Sequence, residues 1–381
     1  MRLLVVSHYF EERRGGVEIV AAALARELAA QGFEVTWLAT GPGPGGAGAA
    51  YRVRSLAASG IVEKVLGIPY PLLLPSAWRT IASEVERADL VLVHDALYQT
   101  SIAAARAART ARKPLVIVQH LGFVPYRNAA LRGLMAAANR RIAVPLLRGA
   151  DQVVFISELS RRHFGDLGWR VPPALIFNGV DPGVFTPAPD PQAIERAQES
   201  FSFRPGTPIA LFVGRFVEKK GLAVLERLAR MRGDVTFAFA GSGPLDPAQW
   251  GLANVRTFSS LSGRSLAPLY QASQLLLLPS VGEGFPLVVQ EALACGLRVL
   301  CGNDTAQADA RAASFLEGIV VDLARPEATA ELFSAALTRL LARPQPAADR
   351  RARSDFARAS YSWRASGAAY AALLRRLRPP A

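Results

Sequence analysis

Short apolar runs alternate with stretches of helical spacing along almost the whole chain. The runs are bounded by glycine, proline and polar residues, as buried strands are. The first, R-L-L-V-V-S at 2–7, predicts a strand. After a loop from His8 to Arg14, the pair Gly15-Gly16 opens a helix over 17–30, which Gly32 closes. Strands follow at 33–39, 89–94, 114–119, 151–157 and 174–177. Between them the spacing predicts a helix over 101–112 and a long basic one over 128–148, with Ser157 as a helix cap.

The prolines and polar residues of 182–208 predict a linker. Beyond it the alternation restarts. Strands are expected at 209–213, 235–240, 255–258 and 275–278, with a helix ending near Arg230 and another over 266–272. The C-terminal third reads as mostly helical and ends in an amphipathic stretch over 363–377. Residues 41–50 are rich in glycine, proline and alanine and predict a loop. The apolar stretch 61–78 carries Pro69, Pro71 and Pro75, so it cannot be one regular helix. It is either a loop beneath the core or an exposed apolar surface.

Alternation, linker and alternation again predict an α/β chain of two doubly wound domains facing a cleft. The boundaries fall at about 1–178 and 179–362, and 381 residues suit two domains. Hydrophobic residues make up 51% and charged ones 20%, a globular composition. No apolar run approaches the ~18 residues of a membrane span, and Leu3–Val6 is too short for a signal-peptide core. Cys295 and Cys301 form neither a disulfide framework nor a metal pattern, so a reducing cytoplasm is expected.

The net charge is +13, with 21 basic against 13 acidic residues in 1–180 and 23 against 18 in the rest. The excess is either an arginine-rich composition or attraction to phosphate or anionic lipid. Nucleic acid is not expected, because no basic–aromatic interleaving accompanies the charge. The basic first domain and the apolar 61–78 stretch together make peripheral contact with an anionic inner membrane an expectation.

Three places carry chemistry. The strand at 275–278 breaks into a turn at Pro279, Ser280, Gly282 and Gly284. Pro286 then starts a helix running to Ala294, closed by Gly296, and a strand restarts at 298–300. Glu283 and Glu291 thus bracket a strand-to-helix turn, at the sheet edge where α/β proteins bind ligands. Arg215 and Lys220 stand at the next such edge, close to a helix N-terminus, and can hold a diphosphate. Lys219 reads as a solvated neighbour. Last, Gly15-Gly16 allows close backbone approach at a helix start, and His120 ends a strand where it could orient a sugar or relay a proton.

Five segments stand in an order that resembles the retaining nucleotide-sugar glycosyltransferases of family 4. They are G-G-V-E-I-V-A-A-A-L-A-R-E-L, F-N-G-V-D-P-G-V-F-T-P, V-G-R-F-V-E-K-K-G-L, G-S-G-P and L-P-S-V-G-E-G-F-P-L-V-V-Q-E-A-L-A-C-G. The resemblance covers nearly the whole chain and implies the GT-B fold, two Rossmann-like domains, with the helix over 363–381 returning to the first. It implies that Arg215 and Lys220 bind the donor diphosphate. Glu283 would contact the donor sugar, Glu291 the ribose diol, and Gly284 and Phe285 phosphate or sugar through their N–H groups. Gly16 would admit acceptor and β-phosphate, His120 would be an active-site histidine, and Asn178 and Asp181 would shape the domain junction.

The implied partners are a nucleotide-sugar donor and a glycan, lipid-linked or small-molecule acceptor, in cell-surface polysaccharide or lipopolysaccharide synthesis. No D-x-D occurs, so no metal and no cofactor beyond the co-substrate is implied. Where the family often has a glycine pair and a glutamate, this chain has Ala306-Gln307-Ala308-Asp309. A sugar-nucleotide epimerase and a non-catalytic sugar-nucleotide binding protein are the alternative readings.

Overall fold

The computed structural model describes residues 1–13, 15–43, 50–66, 70–120, 122 and 129–377. Most of the loop expected over 41–50, and Pro69, Leu121, Phe123 and Arg127, lie outside the described residues. The chain divides into two compact units, one built from the N-terminal part to Gly179 and from Trp363 onward, the other holding Val180–Ser362.

The first unit has a seven-stranded sheet. Its strands are β1 (Arg2–Tyr9), β2 (Glu34–Thr40), β3 (Arg52–Leu56), β6 (Leu90–His94), β7 (Leu115–Gln119), β8 (Gln152–Phe155) and β9 (Ala174–Leu175). A separate antiparallel ribbon pairs β4 (Ala58–Ser59) with β5 (Leu72–Leu73). The sheet order is β3-β2-β1-β6-β7-β8-β9 and every pairing is parallel. The central strands are buried on both faces, which is why they read as unbroken apolar runs. From β1 the chain winds outward through β2 and β3, then returns to the other side of β1 for β6. The winding reverses between β1 and β6, and that switch point is where such sheets take ligands.

Helix α1 (Gly16–Ala30) covers one face. The far-C-terminal helix Trp363–Arg376 packs on it, bringing Tyr370, Ala371, Leu373 and Leu374 against Ala21, Ala22, Leu24, Ala25 and Leu28. The chain passes through α2 (Ile61–Leu66), and the other face carries α3 (Pro75–Arg87) and α4 (Gln99–Thr110), with Ile81, Val85, Ala103, Ala104 and Ala108 in its core. The apolar stretch 61–78 is therefore divided: α2, then β5, then the first turn of α3 with Pro75 at its start.

The long basic helix expected over 128–148 is interrupted. It runs as α5 (Ala129–Ala138), a π turn over Asn139–Ala143, and α6 (Val144–Gly149). Pro145 stands at the start of α6. A proline cannot donate the i→i−4 bond, and a widened turn ahead of it absorbs the mismatch. Ser157 caps α7 (Glu158–Phe164), its hydroxyl accepting from the Ser160 N–H.

The second unit corrects one reading. The stretch 182–208 is not a bare linker, since it contains α8 (Pro191–Ser200), capped by Asp190. Asp-Pro reads as a turn, but it is also a cap followed by a first helical residue. The six-stranded sheet comprises β10 (Ile209–Val213), β11 (Thr236–Ala240), β12 (Val255–Phe258), β13 (Leu275–Leu278), β14 (Arg298–Gly302) and β15 (Leu316–Ile319). Its order is β12-β11-β10-β13-β14-β15, all parallel, so its winding reverses between β10 and β13.

Helices α9 (Leu222–Met231), α10 (Ala267–Ala272), α11 (Leu287–Ala294), α12 (Asn303–Ala306), α13 (Pro326–Ala342) and α14 (Ala347–Ser360) complete this unit. Trp363–Arg376 is then α15. Strands β3 and β15 were not expected: their part-exposed faces carry charge or glycine and lack an apolar run. Among the described residues, no helix is long and apolar enough to cross a membrane.

Candidate active site

In the second unit, the loops that leave β10 and β13 meet backbone to backbone at the switch point. Gly221, which precedes α9, has φ +75°. A Cβ there would run into the Pro279 carbonyl. The close approach sets the two lysines of one loop beside the carboxylate of the other. Glu283 Oε1 lies 3.2 Å from Lys220 Nζ and 3.3 Å from Lys219 Nζ. Lys219 is therefore no solvated bystander: it is the second cation on Glu283.

Burial alone would raise the Glu283 pKa, but Lys220 and then Lys219 outweigh it and hold the carboxyl down to about 2. Burial pulls the Lys220 ammonium below its usual range, with Glu283 opposing and Lys219 and Arg215 adding to the effect. Arg215 itself is exposed on the same loop. Three cations, one carboxylate and the start of α9 thus share the edge of one sheet.

Glu291 lies on α11, the helix that follows the same turn, in a contrasting environment. Its Oε2 accepts from the Tyr270 hydroxyl at 2.7 Å. Burial pushes its pKa up to about 7, the tyrosine bond partly opposing. Two carboxylates eight positions apart are therefore tuned in opposite directions.

Gly284 and Phe285 are buried. The Phe285 ring packs against Tyr361, centroids 5.3 Å apart. Tyr361 donates at 2.8 Å to Asp309, which also pairs with Arg311 at 2.7 Å. Asp309, in the stretch that departs from the family pattern, thus braces the glutamate loop through a tyrosine.

In the first unit, polar groups gather at the carboxyl ends of three neighbouring strands, β1, β6 and β7. His120 follows β7 and is 3% exposed. Its Nε2 lies 2.9 Å from Nδ1 of His94, the last residue of β6, so one proton is shared between the rings. The backbone N–H of His120 donates to the Asp95 carboxylate at 2.9 Å. Burial lowers the His94 pKa well below the usual range. It lowers that of His120 as well, with Asp95 and Glu18 opposing. The pair is neutral at neutral pH.

Beside it, His8 Nε2 lies 3.0 Å from Glu18 Oε1, both side chains buried. Gly16, the first residue of α1, is exposed, and a Cβ there would meet nothing within 4 Å. The demand for glycine falls on Gly15, whose Cβ would run into the Glu18 carboxylate. Glu18 sits in the first turn of α1, where the helix dipole favours an anion.

The sequence singled out Glu283, Glu291, Arg215, Lys220, Gly284 and Phe285 in one unit, and Gly16 and His120 in the other. The folded chain brings Arg215, Lys220 and Glu283 together at one sheet's switch point, with Gly284 and Phe285 next on the same loop and Glu291 on the helix that follows. The sequence missed Tyr270, Asp309, Tyr361 and the His8–Glu18 pair. His8 was legible in principle, since it directly follows an apolar run. Among the described residues, no three His, Cys, Asp or Glu side chains are grouped to hold a metal.

Solved structures that resemble the chain include sucrose-phosphate synthase from Thermosynechococcus elongatus, with a TM-score of 0.76 at 19% identity over 99% of each chain. Another is Anabaena HepE in complex with UDP, with a TM-score of 0.72 at 18% identity over 99% of this chain and 100% of that one. Two parallel-sheet units of this kind make the GT-B fold, and the family models that match make the chain a glycosyltransferase.

The profile of Glycosyltransferase Family 4 matches residues 14–184, and that of Glycosyl transferases group 1 matches 207–343. D-inositol 3-phosphate glycosyltransferase 2 of Catenulispora acidiphila is 30% identical over 355 residues, covering 80% of this chain and 78% of its own. A GDP-mannose-dependent phosphatidylinositol dimannoside mannosyltransferase of Mycobacterium tuberculosis is 27% identical, covering 91% and 89%. The protein belongs to glycosyltransferase family 4.

Proposed function

We propose that the enzyme moves a sugar from a nucleoside diphosphate sugar to a hydroxyl of a glycan or lipid-linked acceptor, with retention of configuration. The observation that carries this reading is Glu283 held ionised between Lys219 and Lys220 at the switch point of the second sheet. A departing diphosphate needs charge neutralisation in the transition state. Arg215 and Lys220 supply it, helped by the start of α9, and no metal is required in this scheme. As the diphosphate takes up the lysines, Glu283 turns to the sugar hydroxyls near the reacting carbon. Glu291 accepts from the ribose diol, and the Gly284 and Phe285 N–H groups bind phosphate or sugar. Gly16 leaves room at the start of α1 for acceptor and β-phosphate. His120, kept neutral by burial, orients the sugar.

Relatives that act on inositol phosphate and phosphatidylinositol mannoside support a polyol or lipid-linked acceptor of cell-surface glycan synthesis. An acceptor of that kind would place the enzyme on the cytoplasmic face of the membrane as a peripheral protein.

The test is a thermal-shift screen with UDP, GDP, ADP, TDP and CMP, without added metal. One diphosphate should raise the melting temperature of the wild type, by about 2.7 kcal/mol of stabilisation at a hundredfold excess over its Kd. Glu291→Ala should lose most of that gain. No response to any of them at millimolar concentration would overturn the donor site drawn here, and abolition of the response by EDTA would overturn the metal-free scheme.

A further inference from the structure

We propose that His8 binds the acceptor: its Nδ1 accepts a hydrogen bond from a hydroxyl of a sugar or cyclitol ring, beside the aromatic stack of Tyr98 and Tyr70. The inference rests on the transferase reading above and adds a residue to it.

His8 lies at the carboxyl end of β1, the strand on one side of the switch point of the first sheet. It is 3% exposed, and its Nε2 is spent on Glu18 at 3.0 Å. The Glu18 carboxyl is kept below its ordinary pKa, burial opposing and His8 prevailing. An ionised carboxylate can only accept, so the proton on that nitrogen belongs to His8. In the neutral ring Nδ1 is then a bare acceptor. It is buried and has no hydrogen-bond partner among the described residues. An unsatisfied buried polar atom costs about 1–3 kcal/mol, so its persistence calls for a use.

The ring is also held in plane. Tyr98 stacks on it with centroids 3.7 Å apart and planes 2° from parallel. Tyr70 continues the stack at 5.7 Å and 26°, its hydroxyl tied to the Leu97 carbonyl at 3.0 Å. Glu18 at one edge and Tyr98 on the face keep the imidazole from turning. A fixed acceptor at the edge of an aromatic stack suits a ligand that offers it a hydroxyl, which is the chemistry of a pyranose or cyclitol. The donor site of the second unit needs none of these groups.

The chain has four histidines, so protein labelled with 15N at histidine alone gives a readable long-range 15N–1H spectrum. His8→Phe, which keeps the stack and removes both nitrogens, assigns the His8 signals. In the presence of UDP or whichever diphosphate binds, His8 should carry its proton on Nε2. Adding myo-inositol, glucose or glycerol should move its Nδ1 resonance, with His163 as the unmoved control. A proton on Nδ1 in the neutral ring, or no movement with any of the three polyols, overturns the proposal.

Stability and kinetics give the second arm. His8→Phe should keep the full melting shift with the cognate diphosphate. In transfer to an acceptor, KM for that acceptor should rise about tenfold to a hundredfold, the loss of one hydrogen bond to a buried group. Donor KM should stay unchanged, and Glu18→Gln, whose amide can donate to Nε2 as well as accept from it and so no longer fixes the tautomer, should raise the acceptor KM in the same direction. Loss of the diphosphate shift in His8→Phe would make His8 a structural residue and sink the proposal. Absence of that shift in the wild type would instead sink the transferase reading, and leaves the histidine spectrum to decide on polyol binding alone.

Discussion

Glu283 lies on a turn and Glu291 on the helix that follows it, yet their surroundings hold the pKa of the first down to about 2 and push that of the second up to about 7. For Glu291 the folded value lies above the ordinary 4.5. Its protonated form therefore favours the fold. The stabilisation is full below about 4.5 and is lost as pH rises through about 7. Glu291→Gln, which still accepts from Tyr270, should melt like wild type near the lower limit and several degrees higher at pH 8. The ceiling is about 3 kcal/mol, at about 1.4 kcal/mol for each tenfold change in proton affinity. Melting curves across that window decide it: a difference that does not grow with pH would mean Glu291 is ionised in the free enzyme. Both carboxylates were legible in the sequence by their spacing. Their opposite tuning was not, because Tyr270 stands 21 residues away and because a lysine next to a lysine reads as solvent-facing.

Among elements, the loop between β10 and α9 is the one whose shape the site depends on. Gly221 combines a left-handed φ with contact against the Pro279 carbonyl. Gly221→Ala should cost about 2 kcal/mol or more, through backbone strain and a displaced strand end. It should also weaken diphosphate binding, since Lys220 precedes it. Gly16→Ala is the contrast: with open space around the position, melting should stay within about 0.5 kcal/mol of wild type. Denaturant titration of the two variants would expose an error if their order were reversed. Elements buried on both faces were plain in the sequence, because β6, β7, β10 and β13 are near-continuous apolar runs. Elements held by one face only were not. Strand β3 is R-V-R-S-L, and α8 buries little beyond Ala197. The π turn before Pro145 was hidden as well, since a proline signals a break without saying how it is absorbed.

Over the whole molecule, the membrane expectation rests on the basic first domain and the apolar 61–78 stretch, and the run from α5 to α6 adds exposed side chains of both kinds. Arg140, Arg141 and Arg148 are exposed there, and Leu134 and Ile142 are exposed apolar side chains on the same stretch. Each basic residue near an anionic surface contributes about 1 kcal/mol, enough for reversible binding when several act together. Flotation with anionic vesicles should recover the protein, neutral vesicles should not, and Arg140→Glu with Arg141→Glu should reduce the yield. Equal recovery from both kinds of vesicle would remove the surface from consideration. The division of the chain into two α/β halves could be read from the alternation alone, because each apolar run marks one strand. That a single helix of the C-terminal third belongs to the first half could not be read from spacing, since α15 has an amphipathic pattern that would suit either.

Helix α15 also reverses the order of assembly relative to the order of synthesis. The first unit leaves the ribosome first, but Tyr370, Leu373 and Leu374 belong to its core and emerge only after every residue of the second unit. The half made second is therefore complete before the half made first. While the ribosome works through Val180–Ser362, the part of α1 that α15 covers waits without it, a period when chaperones have something to hold.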